Sequence, residues 1–194
     1  DKNHLMLRMQ TTLTNAMREF LVERNFVEIH TPKLIGAASE SGSDVFEVKY
    51  FDTNAYLAQS PQFYKQMAMA SGLERIFETG PVFRAEKSYT QRHAAEFWMV
   101  EPEMAFADLN DYMDTAEAMV KYVLSYVMEN CPEELEFFNK FVDTALLERL
   151  NALVSADFGR VSYTDAVKLL TESGHKFDYD VFWGMDLQTE HERY

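Results

Sequence analysis

The chain has 194 residues, 47% hydrophobic and 26% charged, enough apolar material for one soluble globular domain with a real core. Its formal net charge of −14, from 18 basic against 32 acidic residues, argues against broad, non-specific binding to nucleic acid, which relies on neutralising phosphates. No apolar run approaches a membrane span, no secretory leader opens the chain, and a single cysteine, Cys131, excludes an internal disulfide and fits a reducing cytoplasm.

The elements follow in chain order. Leu13, Met17, Phe20 and Leu21 recur at helical spacing and predict an amphipathic helix ending near Asn25. FVEIHTP reads as a short strand stopped by Pro32, and the small polar stretch from Gly36 to Asp44 as a loop. VFEVKYF and AYLA read as a hairpin pair. Ser60-Pro61 predicts a helix start, with Ser60 as N-cap, and Gly72 its end. RIFETG, PVFRAE and EFWMVEPEMAF are strand-like. A long helix follows Asp108 and stops at Asn130-Cys131-Pro132, and a second, acidic and solvated, covers 133–153. RVSY reads as a strand, DAVKLLTES as a helix, and TEHERY as a helix start holding His191. This order predicts an α+β fold with a mainly antiparallel sheet flanked by helices.

Strand parity singles out one face. On 97–106 it carries Phe97, Met99, Glu101, Glu103 and Ala105, opposite a core face of Trp98, Val100, Pro102, Met104 and Phe106. Arg84 and Glu86 join the first face if 87–96 is the loop of an antiparallel hairpin. Arginine suits a phosphate oxygen, paired carboxylates suit Mg²⁺ carrying phosphates, and an aromatic ring suits a purine. Arg84, Lys87, Arg92 and His93 make a basic island in an acidic chain. The same pattern also fits a solvated sheet face with cross-strand ion pairs. Pro102 is out of place in a central strand, where it would cost a ladder bond.

At these residues the chain resembles a class II aminoacyl-tRNA synthetase, of the subgroup charging aspartate and asparagine. FVEIHTPKL is similar to the family's motif 1, which implies a homodimer with Pro32 at its interface. GPVFRAEKSYTQRHAAEFWMVEPEMAF is similar to motif 2. The resemblance implies that Arg84 binds the α-phosphate of ATP, Glu86 the adenine end, His93 the γ-phosphate and Phe97 the adenine ring, with Arg84 and Glu86 catalytic. It implies that Glu103 helps hold Mg²⁺. SESGSDVF is similar to the loop that closes over the amino acid, giving Ser39 and Glu40 that role. AQSPQFYKQM is similar to the segment lining the amino-acid pocket and implicates Ser60, Gln62 and Lys65, with Glu101 facing them. The fragment 1–194 would then be a catalytic domain that carries motifs 1 and 2 and lacks motif 3 and the anticodon-binding domain. The full-length protein would pair with tRNA.

The amino acid is read from Lys65. A lysine ammonium attracts a carboxylate, so QSPQFYK leans towards aspartate. AEFWMVEPEMAF, NCPEELEFFNKFVD and WGMDLQTEHERY resemble asparaginyl enzymes instead, and Glu101 stands where aspartyl enzymes have an aspartate. Two other functions fit the resemblance: an asparagine synthetase paralogue acting on free aspartate, and a catalytic-like module that binds without turnover. His4, His30, His175 and His191 show no metal-ligand spacing.

Overall fold

The structure, a computed structural model, describes residues 1–37, 45–87 and 93–194. They divide into two units, Asp1–Ser155 and Ala156–Tyr194. Helix α1 spans Lys2–Glu23, eleven residues further towards the N-terminus than the apolar spacing from Leu13 suggested. Asp1 supports this start by accepting a hydrogen bond from the Asn3 N–H. The helix ends where the Asn25 N–H bonds back to Val22 and Asn25 turns into the left-handed region at φ 63°.

Two three-stranded sheets follow. In the first, β1 (Val27–Glu28) lies parallel to β5 (Arg75–Phe83), and β5 pairs antiparallel with β6 (Glu96–Met104). In the second, β2 (Leu34–Ile35) and β3 (Glu47–Tyr50) flank β4 (Thr53–Leu57), all antiparallel. The α+β class and the dominance of antiparallel pairing hold. RIFETG and PVFRAE are one continuous strand and not two.

Both prolines of the long hairpin are accommodated by register. The Arg84 N–H bonds to Ala95 and the Ala105 N–H to Glu74, so even-numbered residues of β5 form the hydrogen-bonded pairs with β6. Pro81, opposite Trp98, and Pro102, opposite Phe77, both fall in non-bonded pairs. Their missing N–H groups point away from the partner strand, and β6 is the edge of its sheet among the described residues. Pro102 therefore costs the hairpin no bond.

One face of the hairpin packs on helices. Phe77 is fully buried with Phe20 and Leu21 of α1 and with Phe26, and Val100, Met104, Met119 and Tyr122 close over them. Phe77, Phe20 and Leu21, fully buried, each stabilise the fold by about 1.5–3 kcal/mol. The expected core face is only partly a core face. Trp98 is 66% exposed, and Phe106, at φ 59°, is 95% exposed because the chain has left the strand there.

Helix α3 (Leu109–Asn130) starts on a reciprocal Asp108–Asp111 cap and ends at Cys131. The expected second helix is two, α4 (Pro132–Phe141) and α5 (Leu146–Ser155). Asp143 breaks it by accepting the Ala145 N–H and the Arg149 guanidinium, which hold its carboxyl below the usual range, Arg149 first. Nor is this segment wholly solvated: Glu134 is buried against Arg8 at 3.2 Å, and Leu135 packs with Val127 and Cys131. Between β4 and β5, α2 (Gln62–Ala70) packs on the other face of β5. It begins one residue later than expected, although the Ser60 hydroxyl still accepts from the Gln62 N–H.

In the second unit RVSY forms no strand. Ser162 instead caps α6 (Tyr163–Glu172), accepting from the Asp165 N–H. Glu190, in the short helix α7 (Thr189–Arg193), accepts from the Asp178 and Tyr179 N–H groups. Those bonds hold the Glu190 carboxyl below its usual range, that from Asp178 most strongly. His191 is buried in α7 and its Nδ1 accepts from the Gln188 N–H. Among the described residues no helix is long and apolar enough to cross a membrane.

Candidate active site

The face of the hairpin turned away from α1 and α3 gathers the chemistry. Directly paired residues of an antiparallel ladder share a face, so Ile76, Glu78, Gly80 and Val82 lie beside Glu103, Glu101, Met99 and Phe97 in that order. The Arg84–Ala95 bond extends the ladder one step beyond β5 and keeps Arg84 on this face. Arg84, Phe97 and Glu101 therefore share one face of the hairpin, as parity predicted.

At one end Arg84, Glu86, His93, Ala94 and Phe97 line a cavity of about 410 Å³. The Arg84 guanidinium carbon lies 5.6 Å from the Phe97 ring centroid. The Arg84 Nε is buried and has no hydrogen-bond partner among the described residues. A buried donor of this kind is expensive to leave unsatisfied, and an incoming phosphate oxygen is its natural partner. The His93 Nε2 stands 4.0 Å from Glu86, at the limit of an ion pair.

The other end is built around Lys65. Helix α2 presents this residue, only 3% exposed, to the sheet. Its Nζ lies 3.0 Å from Glu101 Oε2 and 3.6 Å from Glu103 Oε2. Gln62 Nε2 donates to Glu103 Oε1 at 2.8 Å. Glu101 Oε1 and Glu103 Oε2 are buried acceptors without a hydrogen bond among the described residues. Lys65, Gln62, Glu101 and Glu103 lie on a cleft of about 500 Å³ along the edge of β6. The ammonium that favoured aspartate is thus already matched by the protein's own carboxylates.

Glu103 does not join the Arg84 end. It stands six positions along β6 from Phe97, about 20 Å at strand rise. Its carboxylate is engaged by Gln62 and faces Lys65. Both its oxygens thus face α2, and among the described residues no three or more His, Cys, Asp or Glu cluster into a metal site made by the protein alone. Ser39 and Glu40 lie outside the described residues. Ser60 is buried at the start of α2, and Pro32 is exposed on the turn before β2.

Sequence reasoning missed Glu78, Thr31 and Lys33. Glu78 is 3% exposed and sits opposite Glu101. Its Oε2 accepts from the Thr31 hydroxyl at 2.7 Å, and its Oε1 from the Thr31 N–H at 3.3 Å and from Lys33 Nζ. Splitting the strand at Gly80-Pro81 hid the alternation Ile76, Glu78, Gly80, Val82, Arg84 that puts Glu78 on the site face.

Comparisons with known proteins identify the family. The family described as tRNA synthetases class II (D, K and N) matches residues 1–194. An asparagine–tRNA ligase of Clostridium beijerinckii is 48% identical over 207 residues, covering 96% of this chain and 44% of the relative. One of Bacillus cytotoxicus is 46% identical over 206 residues, with the same coverage. The crystal structure of asparaginyl-tRNA synthetase from Pyrococcus horikoshii complexed with asparaginyl-adenylate superposes with a TM-score of 0.84 at 38% identity, over 99% of this chain and 42% of that one. An aspartyl tRNA synthetase from Entamoeba histolytica gives 0.72 at 33% identity, over 98% and 34%. The chain spans less than half the length of the curated relatives it matches. With its family model matched from end to end, the chain belongs to the class II tRNA synthetases of the D, K and N group.

Proposed function

We propose that this chain supplies the ATP- and amino-acid-binding part of a ligase that activates asparagine and passes it to tRNA. The observation that carries this reading is the burial of Lys65 against Glu101 and Glu103. Two carboxylates around one ammonium leave the pocket without spare positive charge. An aspartate side chain would add a third anion and has no donor for Glu101 Oε1. An asparagine side chain is neutral, its NH₂ can donate to that buried oxygen, and its carbonyl can accept from Lys65. The identities of the relatives support the same choice and reverse the lean towards aspartate that Lys65 suggested alone.

In this reading the asparagine carboxylate attacks the α-phosphorus of ATP, an aminoacyl–phosphate bond forms, and pyrophosphate leaves. The 3′-hydroxyl of the tRNA terminal adenosine then attacks the acyl carbon and AMP leaves. No side-chain nucleophile is needed. Arg84 would meet the α-phosphate with its unsatisfied Nε, while Phe97, Glu86 and His93 hold the nucleotide beyond it. Phe97 and Glu101 are four positions apart, about 13 Å, a separation suited to an amino acid joined to a nucleotide. Gln62, Ser60, Ser39 and Glu40 are assigned to the amino acid. Exposed Pro32, with Val27 and Leu34 at 44% and 45% exposure, is assigned to a homodimer contact. ATP–pyrophosphate exchange tests the reading on the full-length gene product. Exchange driven by asparagine and not by aspartate is expected; exchange driven by aspartate alone overturns it.

A further inference from the structure

The site face carries a second lysine–glutamate pair that nucleotide and amino-acid binding leave unexplained. Glu78 and Glu101 are directly opposed in a hydrogen-bonded pair of the ladder. Like charges in that relation repel. Each has its own cation: Lys65 on Glu101, and Lys33 on Glu78. Lys33 reaches Glu78 across Gly80, where an added Cβ would stand 3.3 Å from Lys33 Cε and 3.4 Å from its Nζ. The lysine stem therefore crosses the same face, beside Met99, which is opposite Gly80. The pair is also anchored to the pocket through the backbone. The Ala58 N–H bonds to the Lys33 carbonyl, the Phe83 N–H to the Ala58 carbonyl, and Ala58 leads directly into Gln59, Ser60 and α2.

We infer that Lys33 and Glu78 are a charge-balancing pair for the amino-acid pocket: neutralised by each other they leave its selection of an uncharged side chain to Lys65, Glu101 and Glu103, and either one left alone shifts it. This rests on the asparagine reading above. Lys33 and Glu78 act through the potential at Glu101 and Lys65 and are positioning residues, not catalytic ones. Were the pair merely a tie between the Pro32 turn and β5, removing either member would loosen the same structure and shift selectivity the same way. Charge balance demands opposite signs. Glu78→Gln leaves the Lys33 ammonium in excess and favours aspartate. Lys33→Met leaves the Glu78 carboxylate in excess and disfavours it further.

The measurement is the ratio of kcat/KM for asparagine to that for aspartate in pyrophosphate exchange, on the full-length gene product and its variants. A unit charge about 10 Å from the substrate side chain, at an effective dielectric near 20, changes binding roughly tenfold. The ratio is expected to fall about tenfold in Glu78→Gln, to rise about tenfold in Lys33→Met, and to return within about threefold of the parent in the double variant. Should Lys33→Met fail to fold, Glu78→Gln and the double variant carry the same test. Single variants that move the ratio in one direction, or by less than twofold, overturn the inference while leaving the asparagine reading intact. A parent protein without preference for asparagine overturns that reading, and the role of the pair with it.

Discussion

Replacing Lys65 by methionine tests how the pocket is held together. The side chain of Lys65 is 4% exposed and that of Glu101 13%, so the 3.0 Å pair is largely removed from water. Removing the ammonium leaves Glu101 charged, buried, and without a hydrogen-bond partner on either oxygen among the described residues, since Oε1 already lacks one there. Breaking a buried pair in this way costs about 3–5 kcal/mol. For a unit of this size each kcal/mol lowers Tm by roughly 2–4 °C, so a fall of around 10 °C is expected. Lys65→Met/Glu101→Gln removes both charges at nearly constant volume and should recover all but about 1–2 kcal/mol. The double-mutant cycle, completed with Glu101→Gln and read by urea denaturation, then gives a coupling of at least about 2 kcal/mol. A Lys65→Met variant within 1 kcal/mol of the parent, or additive effects in the cycle, would refute the claim that the two groups neutralise each other.

Three further outcomes follow from particular contacts. Arg84→Ala should lower adenylate formation by about 10²–10³ with an unchanged unfolding midpoint, because its Nε has no hydrogen-bond partner among the described residues; near-normal pyrophosphate exchange by this variant contradicts its phosphate role. Tyr122 donates to Glu19 at 2.6 Å, and that bond, followed by desolvation, pushes its phenol up to about 12. A phenol raised in the folded state contributes fully below its unfolded value near 10 and loses that contribution as pH rises through about 12. Tyr122→Phe should cost about 1 kcal/mol at pH 7 and flatten the alkaline loss, as denaturation at pH 7 and above 10 can measure. Glu190 has a lowered carboxyl pKa, so its contribution is present above the ordinary glutamate range and is lost as pH falls through the depressed value. The amide proton shifts of Asp178 and Tyr179 should titrate together by NMR below that range; a midpoint at or above it removes the cause assigned here.

Much of the site was legible because strand parity is a local rule. The sequence 96–104 alone places Phe97, Glu101 and Glu103 on one line, and Arg84 joins them once the hairpin closes. The structure of the pocket was less legible. Lys65 looks like a spare cation until α2 is laid against β6, because only the packing of a helix on a strand shows which carboxylate it meets. Glu78 and Lys33 were invisible for a different reason. Gly80-Pro81 carries every local sign of a strand break, yet Pro81 falls in a non-bonded pair and the ladder runs through. The α4–α5 break and the loss of the RVSY strand have the same origin: Asp143 and Ser162 compete for backbone donors that periodicity does not register.

The measurement closest to the central claim is a calorimetric titration of the full-length gene product with non-hydrolysable asparaginyl and aspartyl adenylate analogues. A pocket whose lysine is already matched by Glu101 and Glu103 should bind the asparaginyl analogue more tightly, by about ten- to a hundredfold. Tighter binding of the aspartyl analogue, lost in Lys65→Met, would contradict it and return Lys65 to the role of a carboxylate receptor.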